Sequence, residues 1–574
     1  MSRAATPALV RLPVWRARFV LAAFLAGFAL MVGRSVYLQA LKTGFLREMG
    51  EARYSRVLEI PATRGRILDR NGEPLAVSTP VKSVWAVPGD VHASPEQLQH
   101  LARTLGLGLR ELKKRLADTS HDFVYLMRQI PPAQAKRVAE LDIPGIYQDQ
   151  EYRRYYPAGE VTAQLVGFTD VDDAGQDGIE LSYQSRLAGR PGSRRVIRDR
   201  LGHIVEDVGS VRAARDGKDV TLSIDGKIQS LAFSALEQAV ERNKAKAGSV
   251  VVLDVRTGEV LALANMPSYN PNNRAQLVGR ELRNRALTDA FEPGSTLKPF
   301  TIATALELGK ITPLTRIDTD GGQIRMARYT IRDAEPDGVL SVTQVIQRSS
   351  NVGAAKIALT LPPVAMWDTF RRVGLGAPPP LDFPGETAGI VRPYRSWRPI
   401  EQATMAYGNG ISVSLMQLAR AYSIFARNGK LIPITLLRTA TPVTGTQVIP
   451  ARVAHEVRDM LETVVEPGGT GPRARIMGWT VAGKTGTAHI AENGGYAAHK
   501  YIASFVGFAP ASAPRLIVAV MIDQPGGKDY YGGLVAAPVF AQVMQGALRM
   551  LNVPHDAPLV PIEPVPAEDS KEDA

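Results

Sequence analysis

Three short motifs stand in order in the second half of the chain: Ser295-Thr296-Leu297-Lys298, Ser349-Ser350-Asn351 and Lys484-Thr485-Gly486-Thr487. Together they hold the residue types of acyl transfer through a serine. A serine hydroxyl needs a base before it becomes a nucleophile. Lys298 lies three residues on, so on a helix it shares a face with Ser295. A lysine acts as a base only when neutral, a state favoured by burial or a nearby cation. Lys484 is a candidate for that cation. Pro299 lacks an N–H and clashes with the carbonyl four residues back, so it fits only a helix's first turn. The helix must therefore begin at about Ser295, which puts that hydroxyl at the positive end of the helix dipole, where developing negative charge is stabilised.

In the second motif Ser349 can relay a proton between Lys298 and a leaving amine, and Asn351 can hold a substrate amide. Ser and Asn are also cap residues for the helix expected near Val352, and capping is compatible with catalysis. The third motif is expected on a strand. Gly486, without a side chain, lets an extended peptide approach the backbone and pair as an added strand. Lys484 and Thr485 suit a substrate carboxylate, and the backbone N–H groups of Ser295 and Thr487 suit an oxyanion. Alone, S-x-x-K arises by chance about once or more in a chain of this size, and a lysine is common on an exposed strand edge. The conjunction of three motifs in this order, on a helix start, a helix cap and a strand, carries the functional reading.

The elements that must position these residues fall in two stretches. From about 41 to 220 the pattern is mixed and rich in Arg. Residues 66–78 predict a hairpin around Asn71-Gly72. Residues 95–150 read as largely helical, and RRYYP (153–157) and DGIE (177–180) as polar loops. From 221 the texture changes: a helix over 224–243, a hairpin of β-branched strands at 249–255 and 259–265, an apolar helix from 293, a helix-rich middle to about 476, then strands at 479–490, 501–509 and 515–523. Five strands with helices inserted between the second and third predict an α+β layered domain. The tail from 554, rich in proline and ending in acids, reads as disordered.

Length and composition bound the rest. The 574 residues correspond to roughly three or four domain-sized pieces. With 45% hydrophobic and 22% charged residues the chain is neither disordered, fibrous nor a multi-span membrane protein. The net charge of +12 is scattered, so it does not mark a nucleic-acid surface. There is no Cys, hence no thiolate chemistry and no disulfide, and the His residues show no ligand spacing, so neither a catalytic metal nor a cofactor is expected. At the N-terminus Arg3, Arg11, Arg16 and Arg18 precede an uncharged run, 19–33, that extends to 38 if Arg34 reaches the interface. No small-x-small cleavage site follows, so 19–38 is expected to be an uncleaved anchor rather than a signal peptide or a core helix. The arginines place residues 1–18 in the cytoplasm and everything after about 40 outside the cytoplasmic membrane.

The set S-x-x-K, S-x-N and K-T-G resembles that of the penicillin-binding proteins, which are penicilloyl serine transferases. A single anchor, a front stretch with RGRILDRNGEPLA (64–76), RRYYP and DGIE, and a C-terminal transpeptidase region are similar to class B members, which lack a glycosyltransferase domain. FEPGST within RNRALTDAFEPGSTLKPF (283–300) resembles the cell-division (septal) subtype, the FtsI family. The stretches 406–429, 468–474 (GGTGPRA), 478–488 and 530–540 fit the same subtype. The resemblance implies a β-lactamase/transpeptidase-like domain over 221–553, with a five-stranded antiparallel sheet between helices. Ahead of it the resemblance implies an elongated mixed α/β pedestal (dimerisation) domain over 41–220 and one transmembrane helix, with 554–574 as a tail. It further implies that Ser295 attacks the D-Ala-D-Ala amide of a peptidoglycan stem peptide, with Lys298 as base, Ser349 as relay, Asn351 as a substrate amide contact, and Lys484, Thr485, Gly486 and Thr487 binding the substrate carboxylate, backbone and carbonyl. β-Lactams would acylate Ser295. Implied partners are a septal glycan polymerase and other division membrane proteins, with no nucleic acid. The implied location is the septal inner membrane with the catalytic domain periplasmic. Rival readings are an elongation-type transpeptidase, a β-lactamase or D,D-carboxypeptidase, and a β-lactam sensor. The hydrolase lacks a convincing deacylation base, and the sensor would need further spans and a cytoplasmic output domain.

Overall fold

The computed structural model describes residues 13–41, 55–119, 123–198, 204–492 and 495–560. A helix at Val14–Val36 is about 35 Å long at 1.5 Å per residue, enough to cross a hydrocarbon core of about 30 Å. It buries none of its side chains and is apolar enough for a membrane span. The expected span 19–38 starts five residues inside it, because nothing in 14–18 breaks a helix; Arg16 and Arg18 lie in its opening turns.

By packing, the described residues form two compact units, one within 1–62, 81–151 and 190–215 and the other within 63–80, 152–189 and 216–574. Packing units and sequence boundaries differ here: 63–80 and 152–189, ahead of the boundary expected at 220, pack with the catalytic stretch. In the first unit, helices Pro95–Leu105, Leu109–Leu116 and Pro132–Ala139 cover strands through one apolar core that includes Val84, Leu101, Leu105, Leu126 and Val138. Val124–Ile130, expected to be helical, is a strand paired with Pro74–Ala86. A second sheet in this unit joins Ser55–Ile60, Gly192–Arg198 and Ile204–Arg212, all antiparallel.

In the second unit the hairpin expected at Asn71-Gly72 is present: Ile67–Leu68 pairs with the start of Pro74–Ala86, and Gly72 takes φ 92° in the turn. RRYYP and DGIE are not solvated loops. Arg154 lies on the strand Ile146–Tyr155 and Glu180 on a short helix, and both are buried. Glu180 Oε2 accepts from Arg64 Nε at 2.6 Å, and its Oε1 from Arg154 Nε at 2.6 Å. Arg64 also donates to the Glu180 and Asp173 carbonyls. A carboxylate flanked by two guanidinium forks can be buried; an unpaired one cannot.

The five expected strands form one antiparallel sheet. They are β1 (Ala247–Asp254), β2 (Val260–Met266), β3 (Ala482–Glu492), β4 (Gly495–Ala509) and β5 (Leu516–Asp523), in the order β2-β1-β5-β4-β3. Alternate residues enter different cores: Val250, Val252, Val518 and Val520 face one, and Val251, Leu253, Ile517 and Ala519 the other. A sheet buried on both faces reads as continuous apolar runs, which is why these strands were legible. Helices α1 (Gly226–Arg242) and α5 (Ala537–Met550) cover the first face. The other face carries the inserted helices, among them α2 (Lys298–Glu307), α3 (Asn351–Leu359) and α4 (Ala451–Thr463). β3, which bears the third motif, is an edge strand.

Disorder is expected from 554, but Pro554 and Asp556 are held by hydrogen bonds. Pro554 O accepts from Trp479 Nε1 at 3.0 Å, and the Asp556 carboxylate accepts from Thr480 N and Ser512 Oγ. Residues 561–574 lie outside the described residues.

Candidate active site

Ser295 sits on a 3₁₀ turn, Gly294–Leu297, that runs into α2 with Pro299 in its first turn. The helix start inferred from Pro299 is thus a tighter turn with regular helix from Lys298. The turn is clamped between β3 and the segment around Gly408. A Cβ on Gly294, at φ 56°, would lie 3.3 Å from Thr487 O, and one on Gly408 would lie 2.2 Å from Gly294 O. Tyr422 Oη donates to Thr296 O at 2.8 Å and fixes the turn from beneath. Ser295 is 2% exposed and Lys298 is fully buried.

The second motif lies between two helices. Ser349 has φ 62°, a left-handed conformation that non-glycine residues seldom adopt. Ser350 caps α3, accepting from Gly353 N at 2.8 Å, so the helix begins at Asn351, one residue before the expected Val352. Ser350 Oγ donates to Asp333 Oδ2 at 2.6 Å, Val352 N donates to Asp333 Oδ1, and Asn351 Nδ2 donates to Arg332 O at 3.1 Å.

On β3, Lys484 is fully buried. Its Nζ donates to Ser349 Oγ at 2.8 Å and to Thr485 Oγ1 at 3.1 Å. Lys298 Nζ donates to the same Ser349 Oγ at 3.0 Å and also to Ser349 O. Burial and a second amine, the two conditions for a neutral Lys298, are both present. Thr487 Oγ1 accepts from Gly532 N at 3.0 Å. Gly486 has a reason the sequence did not suggest. A Cβ there would lie 2.5 Å from Ser504 Oγ and 2.9 Å from both Pro293 O and Thr296 Cγ2, so its bareness lets β3 approach the serine turn.

Three supporting side chains escaped sequence reasoning. Asp333 anchors the second motif, and Thr470 shares a 2.7 Å hydrogen bond with Thr485 Oγ1. Glu292, just ahead of the serine turn, accepts from Gly410 N at 2.8 Å and from Tyr496 Oη at 3.1 Å; burial pushes its carboxyl above the usual range. Thr470 and Glu292 carried cues, the GGTGPRA and FEPGST stretches, and Asp333 carried none. Among the described residues no cluster of His, Asp and Glu could hold a metal ion.

Layering and site together define a class: serine acyltransferases built on a five-stranded antiparallel sheet between helices, with the nucleophile at a helix start and a lysine on the facing strand. Comparison with known proteins narrows it. The penicillin-binding protein transpeptidase domain matches residues 248–545, and the penicillin-binding protein dimerisation domain matches residues 59–222. The probable peptidoglycan D,D-transpeptidase PenA of Neisseria gonorrhoeae is 43% identical over 548 residues, covering 95% of this chain and 94% of the relative. The peptidoglycan D,D-transpeptidase FtsI of Escherichia coli (strain K12) is 42% identical over 549 residues, covering 95% and 93%. The apo transpeptidase domain of Burkholderia pseudomallei penicillin-binding protein 3 superposes with a TM-score of 0.55 at 48% identity, covering 59% of this chain and 98% of that one. The chain belongs to the penicillin-binding protein transpeptidases, in the class B group represented by FtsI and PenA.

Proposed function

We propose that the protein is the septal peptidoglycan D,D-transpeptidase of its cell, anchored by the Val14–Val36 helix with the N-terminus cytoplasmic and the catalytic domain periplasmic. Ser295 Oγ attacks the carbonyl carbon of the penultimate D-Ala of a stem peptide while Lys298 takes its proton. Backbone N–H groups of Ser295 and Thr487 stabilise the oxyanion. The C–N bond breaks, the terminal D-Ala leaves with a proton relayed through Ser349, and an ester on Ser295 remains. The amine of a neighbouring stem peptide then attacks the ester and forms the cross-link. Lys484 and Thr485 receive the donor carboxylate, Gly486 keeps the strand close to the nucleophile's turn, and Asn351 holds a donor amide. β-Lactams acylate Ser295 in place of the donor.

The observation that carries this reading is Ser349 Oγ lying within hydrogen-bond reach of both Lys298 Nζ and Lys484 Nζ, which joins the three motifs into one proton path. The septal assignment is supported by FEPGST ahead of Lys298 and by the identity to FtsI. Its partners are then a septal glycan polymerase and other membrane proteins of division. Depletion in the source cell tests this: filaments with unfinished septa are expected, whereas round cells that still divide would assign the protein to elongation.

A further inference from the structure

A cavity of about 770 Å³ opens in the catalytic unit, and none of its walls comes from the three motifs. Its walls are the turn between β1 and β2 (Arg256), the segment 426–430, the helix α4 and the turn between β4 and β5 (512–514). The volume is that of a site for a small organic ligand and exceeds the needs of one inorganic ion.

Its charge is one-sided. Arg256, Arg427, Lys430 and Arg458 line it against a single carboxylate, Asp459. None of these four cations has an ion-pair partner among the described residues, although Arg452 on the same helix pairs with Glu456 at 2.6 Å and Arg515 beside the cavity pairs with Asp254. Arg458 is 9% exposed. Its Nε and Nη2 donate to Phe425 O at 3.1 and 2.8 Å, and Nη2 also donates to Asn428 Oδ1 at 2.9 Å. Burial pulls its pKa below the ordinary arginine value, against the opposing pull of the Asp459 and Glu462 carboxylates. Asn428 is itself held at φ 54°, with Oδ1 2.8 Å from His455 Nε2, so the position of the guanidinium is built rather than incidental.

Unpaired like charges around one concavity repel unless an anion fills it. Guanidinium forks match phosphate oxygens in pairs. A phosphate group carries about −1.5 to −2 at neutral pH, so two of them offset the excess of three positive charges. We propose that this cavity binds a ligand carrying a diphosphate group, held by Arg256, Arg427, Lys430 and Arg458. The diphosphate is either free or the headgroup of a lipid.

The test is calorimetric titration of the full-length protein in zwitterionic nanodiscs, at constant ionic strength, with inorganic pyrophosphate, farnesyl diphosphate and citrate. Saturable binding of pyrophosphate is expected, at least tenfold tighter than citrate and at least tenfold weaker in Arg256→Gln/Lys430→Gln. Neither residue belongs to the three motifs, so penicillin labelling of the double variant should be unchanged. Equal affinity for the two diphosphates supports a free ligand. Tighter farnesyl diphosphate binding that the double variant loses supports a lipid headgroup. Absence of saturation, citrate binding as tight as pyrophosphate, or undiminished binding by the folded double variant would overturn the proposal.

Discussion

Lys298 and Lys484 donate to the same oxygen, Ser349 Oγ, at 3.0 and 2.8 Å. One amine comes from the helix that follows the Ser295 turn and the other from the edge strand that faces it. The hydroxyl between them therefore couples the two walls of the site as well as offering a proton path. Ser349→Ala removes that oxygen without changing either lysine. We expect acylation by a fluorescent penicillin to slow by about 10²–10⁴-fold, the usual range for a group that handles a proton. The thermal midpoint should shift little. An unchanged acylation rate would show that the amines do not communicate through Ser349.

Thr470 supports the strand motif from outside. Its hydroxyl bonds Thr485 Oγ1 at 2.7 Å, and Thr485 Oγ1 also accepts from Lys484. Thr470→Val keeps the shape and deletes the bond. A loss of about 1 kcal/mol in stability is expected, with roughly tenfold slower acylation at saturating penicillin. Stopped-flow acylation beside chemical denaturation separates the two effects.

The space above Gly486 is filled by Pro293 O, Thr296 Cγ2 and Ser504 Oγ. Gly486→Ala must push β3 away from the serine turn. Destabilisation of about 1–3 kcal/mol is expected, as for other overpacked sites, together with slower acylation. A variant with native stability and native rate would mean that the strand does not need its close approach.

Much of the catalytic unit was legible because its signals are local. The five strands are apolar runs bounded by turns, Pro299 marks a helix start, and each motif carries its own residue types. What the sequence hid depends on distant partners. Val124–Ile130 has no alternation to mark it as a strand and is fixed by pairing with Pro74–Ala86. Arg154 and Glu180 look like solvated loop charges until Arg64 is brought to them from the start of the unit. Asp333 and Thr470 are single residues in connections, and nothing in their neighbours announces the hydrogen bonds they make. Gly486 was noticed for its bareness, but the packing that requires it appears only in three dimensions.

The same charged cluster sets a pH dependence. Burial pushes the Asp173 carboxyl up to about 6, against the opposing pull of Arg64 and Arg154. The unfolded carboxyl titrates near 4. Between those values the folded state holds a proton that the unfolded chain has released, so Asp173 makes stability fall as pH rises through about 4 to 6 and level off above. Asp173→Asn removes the effect and keeps a residue type that tolerates the local φ of 62°. The variant should match the parent near pH 4 and exceed it by roughly 1–2 kcal/mol at pH 8. Denaturation at the two pH values measures the difference.

The most direct test is intact-mass and peptide mass spectrometry of the protein after exposure to benzylpenicillin. One penicilloyl group is expected, on the peptide containing Ser295, and Ser295→Ala should carry none while retaining its fold. A stoichiometric adduct on the folded Ser295→Ala protein, or an adduct in the parent at any other residue, would contradict the assignment of the nucleophile.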